Sequence, residues 1–243
     1  MAHIDQIVGR GGILPIAIAP SLWISPRFIG DIAFSAYPDM SAIRDRSGNG
    51  YNFTQATAEK QPMLGIDPYI NRPIIIGGGG QYLLGGNNPV YSNVNGMTVF
   101  IITNVPGGDS YIFAKDSAAS HEFKLTHDFM LQTYFFTIYE DQSTASSALF
   151  QTSDYTAFLL TLWWQPGQCH KIYQNGVLKA TSPVGQAVTD MDNGSSVLSL
   201  LADGDGNNSG EYLEAGDSLV FPTALGDADR STIEKYLMNA WGL

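Results

Sequence analysis

The feature that most constrains the fold is the spacing of short β-branched and aromatic runs. These runs recur along the whole chain and are separated by clusters of Gly, Asn, Pro and Asp, a pattern that is typical of strands joined by turns. Residues 98–102 and 158–163 are almost continuously apolar, as expected of central strands that are buried on both faces. The sequence therefore predicts an all-β domain made of two packed sheets.

Local signals predict one hairpin and one helix. Asn175-Gly176 separates two short strand-like runs, and this dipeptide favours the two positive φ angles of a type I′ turn. Apolar residues spaced at i, i+3, i+4, i+7 and i+8 from Ile233 predict a helix over residues 227–241, with one apolar stripe that packs on the sandwich. Gly242 is expected to end the helix.

Composition and charge exclude several partners. The chain has 12 Lys and Arg against 23 Asp and Glu, a net charge of −11, which disfavours nucleic acid and anionic membrane surfaces because both require a cationic footprint. Pro15 and Pro20 interrupt the apolar residues 13–24, so we predict no membrane span there. The single cysteine, Cys169, excludes an internal disulfide.

We expect two parts in the chain, an N-terminal arm at residues 1–18 and one sandwich domain at residues 19–243. Between positions 7 and 19, Arg10 is the only charged residue. An apolar arm needs a surface to order it. We therefore expect the arm to contact another subunit, either in a homo-oligomer or in a larger assembly.

Three groups of segments resemble laminin G-like, concanavalin A-like domains of bacterial surface proteins and bacteriophage virion proteins. They are residues 21–24 with 45–57, the hairpin at 173–178, and the closing residues 224–243. The resemblance implies a two-sheet antiparallel jelly-roll sandwich with one C-terminal α-helix. The sequence departs from the family pattern at Pro26-Arg27-Phe28. It departs again at residues 218–221, where the inward acidic residue often found before the closing helix is not evident.

Signatures of hydrolytic enzymes are missing from the sequence. No Gly-x-Ser-x-Gly elbow occurs, and neither does the pair of close glutamates that laminarinase-type enzymes of the resembled fold use. Glu211 and Glu214 lie three residues apart, so on a regular strand they would face opposite sides. We therefore predict a protein that is not an enzyme and that requires no cofactor.

Two features are candidates for ligand binding. Trp164 is the candidate for stacking on a sugar, although core packing is the favoured interpretation for a large aromatic residue. Asp203, Asp205 and Asn207 alternate in one loop and offer oxygens that suit calcium. A solvated turn is the favoured alternative for that loop.

Three function classes stay open, because sandwich folds host many functions. The first is a non-enzymatic structural protein of a bacteriophage virion, a capsid decoration or fibre-type component that binds other virion proteins through its arm. The second is a carbohydrate-binding adhesin or receptor-binding protein at a tail tip or cell surface, with a cell-surface glycan as its ligand. The third is a glycan hydrolase. The sequence favours them in this order.

Overall fold

A computed structural model describes most of the chain, namely residues 19–87, 89–91, 94–141, 144–153, 156–182, 191–192, 194–206 and 212–243. The strands are β1 Leu22–Ile24, β2 Ile32–Ala36, β3 Asp39–Ile43, β4 Phe53–Thr54, β5 Met63–Ile66, β6 Pro73–Gly77, β7 Leu83–Gly86, β8 Met97–Gly107, β9 Ser110–Ser117, β10 Ser120–Asp128, β11 Thr133–Tyr139, β12 Ala145–Gln151, β13 Phe158–Trp164, β14 His170–Gln174, β15 Val177–Thr181, β16 Leu198–Leu200 and β17 Tyr212–Phe221. The α-helix of the described residues, α1, is Asp227–Trp241. Three short 3-10 helices lie at Ile29–Asp31, Ala58–Lys60 and Pro89–Tyr91. The predicted arm at residues 1–18 lies outside the described residues.

The strands pair antiparallel and form two layers. Sheet 1 has the order β5–β6–β17–β8–β13–β14–β15. Strand β1 pairs with residues 218–220 of β17, on the same edge that β6 joins at residues 213–215. Sheet 2 has the order β4–β7–β16–β9–β10–β11–β12. Strand β3 pairs with both β4 and β5 and so joins the two layers at one side. The predicted all-β sandwich with two antiparallel sheets is confirmed.

The central strands of sheet 1 are buried on both faces, as their apolar sequences predicted. Successive side chains of a strand point to opposite faces, and the two sets belong to two separate apolar clusters. The set that faces sheet 2 includes Val99, Ile101, Leu160, Leu162 and Trp164. The set that faces away from sheet 2 includes Phe100, Ile102, Leu159, Leu219 and Phe221.

Helix α1 covers the outer face of sheet 1. Ile233, Leu237 and Trp241 are fully buried in the outer cluster, so the predicted stripe and the predicted bounds are confirmed. A Cβ atom on Gly216 of β17 would lie 2.5 Å from a ring carbon of Trp241, which shows that the indole packs directly on the strand backbone. Gly242 ends the helix with a φ of 77°. Among the described residues, no helix is long and apolar enough to cross a membrane.

The hairpin between β14 and β15 is also confirmed. Asn175 has a φ of 48° and Gly176 a φ of 77°, the two positive values that a type I′ turn requires. The side-chain oxygen of Asn175 accepts a hydrogen bond from the Leu159 N–H at 2.9 Å. The turn is therefore fastened to the neighbouring strand β13 as well as closing its own hairpin.

Arg27, in the first segment that departs from the family pattern, forms a buried ion pair with Asp217, the residue just before the second segment. The Nε atom of Arg27 donates to Oδ2 of Asp217 at 3.1 Å, and the Asp217 side chain is fully buried. Strand β17 shifts register against β8 between Ala215 and Ser218. This bulge turns an acidic residue inward one position before the segment in which the sequence analysis did not find one. Residues 218–221 themselves carry no acidic side chain.

We predict that Gly216→Ala lowers the free energy of unfolding by about 1–3 kcal/mol, the usual cost of forcing an extra methyl group into a packed core. The added carbon would clash with Trp241 and with Ile102, whose Cβ atom would lie 2.8 Å away. Urea unfolding of both proteins measures the difference. The control is Gly30→Ala, since a Cβ atom there meets none of the described atoms within 4 Å. Equal stability of the two variants would contradict this account of how the helix packs.

His170 makes the core sensitive to acid. Its ring lies 5.7 Å from the Phe136 ring, centroid to centroid, in an edge-on arrangement. The side chain is buried, and within the described part of the chain neither ring nitrogen has a hydrogen-bond partner. Burial lowers the pKa of His170 to about 4, because the protein interior disfavours the charged ring.

Acid should therefore unfold the protein partly through His170. The unfolded chain takes up this proton near pH 6.5, whereas the folded state does so only near pH 4. The stability is complete above pH 6.5 and falls as the pH decreases towards 4, by up to about 3 kcal/mol. His170→Leu should lose less stability between pH 7 and pH 4.5 in urea titrations. An equal loss in the variant and the wild type would contradict this role.

Candidate functional site

The two tryptophans at the end of β13 point to opposite sides of sheet 1. Trp164 lies between the sheets with 1% of its surface exposed, so its ring offers no face to a sugar in this structure. Trp163 lies on the other side, where its Nε1 donates to the Leu225 carbonyl at 2.9 Å. The Lys171 ammonium is 4.4 Å from the Trp163 ring centroid. Both rings therefore serve packing between elements, the interpretation that the sequence favoured.

The acidic loop uses its carboxylates within the fold. An Asp203 oxygen accepts the Asp205 N–H at 3.1 Å, and an Asp205 oxygen accepts the Ala118 N–H at 3.0 Å. Asn207, the third predicted ligand, lies outside the described residues. In the part of the chain that the structure describes, no group of three or more His, Cys, Asp or Glu residues is arranged to hold a metal ion. Calcium binding by this loop stays a prediction.

The outer face of sheet 2 carries a row of aromatic and threonine side chains, of which Phe135 and Tyr139 are half-buried and the two threonines are buried. Along β11, Tyr134, Phe136 and Ile138 face the core. The alternate residues Thr133, Phe135, Thr137 and Tyr139 therefore line the outer face. They span about 20 Å along the strand, at roughly 3.3 Å per residue. Leu149, which is paired with Phe135 on β12, is 55% exposed.

One end of this face holds a charged cluster centred on Asp116. Its two oxygens contact different partners, since Oδ1 is bonded to Nδ1 of His121 and Oδ2 to Nζ of Lys124 at 3.0 Å. His121 and Lys124 are three residues apart and on a regular strand would point in opposite directions. Strand β10 shifts register between His121 and Phe123, and this bulge brings both side chains to the same carboxylate.

Two tyrosines flank the cluster. The Lys124 ammonium lies 5.2 Å from the Tyr111 ring centroid and 5.1 Å from the Tyr139 ring centroid. The His121 ring stacks on Tyr139 with centroids 4.9 Å apart and planes 28° apart. Lys124 Nζ also donates to the Tyr111 hydroxyl at 3.3 Å. We call these five residues, Tyr111, Asp116, His121, Lys124 and Tyr139, the tyrosine–lysine cluster.

Electrostatics keep the cluster in one arrangement. Burial alone would lower the pKa of Lys124, but the hydrogen bond with Tyr139 and the charge of Asp116 outweigh it and raise that pKa. Burial raises the pKa of the Tyr111 hydroxyl. At physiological pH, Lys124 therefore stays charged and the Tyr111 phenol stays neutral. The result is a pre-ordered set of aromatic rings and hydrogen-bonding groups.

The other end of the face opens into a shallow cleft of about 550 Å³. Phe135 and Leu149 form part of its apolar lining, and Gln151 and Lys179 add polar groups. Lys179 comes from the edge strand of sheet 1, so the cleft lies where the edges of the two sheets approach each other. A pocket with an apolar lining and a few polar groups is the usual form of a ligand site.

Comparison with solved structures places the chain among toxin binding domains in fold. It is similar to the ligand-binding domain of botulinum neurotoxin serotype D in complex with N-acetylneuraminic acid, with a TM-score of 0.62 and 15% identity over 89% of this chain and 50% of that chain. It is similar to the binding domain of Paraclostridial mosquitocidal protein 1, with a TM-score of 0.67 and 11% identity over 91% of this chain and 53% of that chain. It is also similar to the binding domain of botulinum neurotoxin serotype G, with a TM-score of 0.61 and 12% identity over 92% of this chain and 54% of that chain.

These similarities concern the fold alone. The chain spans about half the length of each matched chain. No protein-family model and no curated protein matches the sequence. The comparisons therefore support an antiparallel β-sandwich fold, whereas the laminin G-like or concanavalin A-like assignment stays a prediction.

The outer face of sheet 2 was not predicted from the sequence. Its signal is present in the alternation of β11, where apolar inward positions are separated by Thr133, Phe135, Thr137 and Tyr139. The tyrosine–lysine cluster has no such signal, because it depends on the β10 bulge and on a partner from another strand.

Proposed function

We propose that this protein is a non-catalytic recognition domain that binds carbohydrate on the outer face of sheet 2. The observation that carries the proposal is the combination on one face of the tyrosine–lysine cluster and the adjacent cleft. Aromatic rings pack against the apolar faces of sugars, and fixed polar groups bind the hydroxyls. A face about 20 Å long suits an oligosaccharide rather than a single sugar.

The roles within the face follow from its contacts. Lys124 bonds with Asp116 and Tyr111, so it positions the cluster and is not expected to be the main contact of a ligand. His121 directs Nδ1 to Asp116, which leaves Nε2 as the ring nitrogen that can meet a hydroxyl group. Tyr111 and Phe135 are partly exposed and provide the stacking surfaces.

The similar solved structures support recognition over chemistry. One neighbour is a complex with N-acetylneuraminic acid, and another is botulinum neurotoxin type C, which depends on interaction with two ganglioside molecules to enter cells. Those ligands belong to chains about twice as long as this one, so they support the ligand class and not a particular sugar. We accordingly rank carbohydrate binding above a purely structural role, the reverse of the order that the sequence favoured.

A location in a bacteriophage particle stays a prediction, as does assembly through residues 1–18. A receptor-binding protein at a tail tip would reconcile that prediction with carbohydrate binding, because such a protein needs both an assembly contact and a recognition face.

The tyrosine–lysine cluster has one carboxylate, Asp116, which already contacts two basic side chains. Most glycosidases use a pair of carboxyl groups, which the cluster lacks, so we propose binding without turnover.

We predict that the purified chain binds a defined glycan on an array and that changes on the outer face weaken binding. Tyr111→Ala and Phe135→Ala should each raise Kd about fivefold, the equivalent of about 1 kcal/mol for one lost stacking partner. Lys124→Met should weaken binding indirectly by releasing both tyrosines. Isothermal titration with the best glycan measures each Kd.

The matched control is Tyr37→Ala. Tyr37 is 74% exposed and lies between β2 and β3, away from sheet 2's outer face. This variant should bind the glycan with the wild-type Kd. Loss of binding in Tyr37→Ala with retention in Tyr111→Ala and Phe135→Ala would show that the proposed face is the wrong one.

A further inference from the structure

Three buried oxygens beside the N-terminal half of β17 have no hydrogen-bond donor among the described residues. They are Oδ2 of Asp67, Oδ1 of Asn104 and Oε2 of Glu214. The exposed fractions of the three residues are 0%, 3% and 2% respectively. An unsatisfied buried acceptor costs about 1–3 kcal/mol and more for a charged group, so three of them in one place require a partner.

The three oxygens come from three separate parts of the fold that converge. Glu214 on β17 is paired directly with Asn104 on β8. Asp67 lies in the turn between β5 and β6, and β6 pairs with β17 on its other side at Glu214. The Asp67 and Asn104 side chains lie within reach of the Glu214 carboxyl, as does Tyr212. The three side chains therefore meet at Glu214, and each has one buried oxygen without a donor among the described residues.

The other atoms of the cluster are already engaged, which fixes the free oxygens in place. Oδ1 of Asp67 accepts the N–H groups of Tyr69 at 2.8 Å and Ile70 at 3.0 Å. Oε1 of Glu214 accepts the Tyr212 hydroxyl at 3.1 Å. Burial, with the nearby Asp67 carboxyl, raises the pKa of Glu214 to about 7. Two carboxyl groups this close do not both ionise unless a cation lies between them, and otherwise they share a proton.

We propose that Asp67, Asn104 and Glu214 form a binding site for a divalent cation, calcium in particular. Two carboxylates and an amide carbonyl are an all-oxygen ligand set, which calcium prefers over softer metals. The two negative charges match the double charge of the ion. Water or backbone carbonyls would supply the remaining ligands that calcium takes. This inference is independent of the proposed carbohydrate face.

The alternative partner is a proton shared between Asp67 and Glu214. A shared proton would satisfy the two carboxyl oxygens but would leave Oδ1 of Asn104 without a donor. A cation satisfies all three oxygens at once, so the arrangement favours it. The two alternatives also differ in a measurable way, because only the cation site responds to calcium and to chelator at constant pH.

The experiment is terbium luminescence on the full chain, since terbium replaces calcium in oxygen sites and is excited through a nearby tyrosine. Tyr212 is hydrogen-bonded to Glu214 and is the expected sensitiser. Terbium emission should appear on excitation of tyrosine and should be removed by calcium. In parallel, calcium at a hundredfold excess over Kd should raise Tm by about 5–10 °C above the value in chelator, and magnesium should raise it less.

The test variants are Glu214→Gln and Asp67→Asn. Each removes one charge but keeps an oxygen, and the asparagine can still accept the N–H groups of the β5–β6 turn. Both should lose the calcium-dependent shift while remaining folded in chelator, as circular dichroism will show. Asp205→Asn is the control, because it separates this site from the loop that contains Asp203. It should retain the full shift.

Two results would overturn the proposal. One is a wild-type Tm that does not respond to calcium while Glu214→Gln is more stable than the wild type above pH 7, which would identify the shared proton. The other is a calcium response that disappears in Asp205→Asn and persists in Glu214→Gln, which would place the ion at the acidic loop.

Discussion

Burial of sheet 1 on both faces is the constraint on which the rest of the structure depends. A sheet whose strands are apolar on both sides must be covered twice, by sheet 2 on one side and by another element on the other. Helix α1 supplies the second cover, and Gly216 allows the Trp241 ring to contact the strand backbone. Because the helix covers sheet 1, no helix of the described residues covers the outer face of sheet 2, where Phe135 and Tyr139 of β11 are partly exposed.

Two β-bulges each bring together side chains that a regular strand would place on opposite faces. The bulge in β10 directs His121 and Lys124 to the same carboxylate, Asp116. The bulge in β17 turns Asp217 inward to meet Arg27. In both cases one extra residue changes which side chains share a face, the known effect of a bulge. The candidate recognition face and the anchoring of the first loop on the sandwich thus have the same local cause.

Much of the fold could be predicted because its signals are local. The Asn175-Gly176 turn, the stripe of α1 and the doubly apolar strands β8 and β13 each depend on residues close together in sequence, and all are confirmed. The candidate sites could not be predicted in the same way. The bulge in β10 leaves no mark in composition, and Asp67, Asn104 and Glu214 meet only through the pairing of β17 with β6 and β8. The sequence placed its candidate sugar contact at Trp164, which the structure places in the core.

The most direct test of the central claim is an NMR titration of the folded chain with the glycan that it binds best. The account predicts that the resonances of Tyr111, His121, Phe135 and Tyr139 shift together and saturate at one Kd, while those of Tyr37 and Trp163 stay in place. Because ring contacts alter the shifts of neighbouring protons, the pattern maps the contact surface residue by residue. Shifts confined to other surfaces, with the outer face of sheet 2 unchanged, would contradict the account.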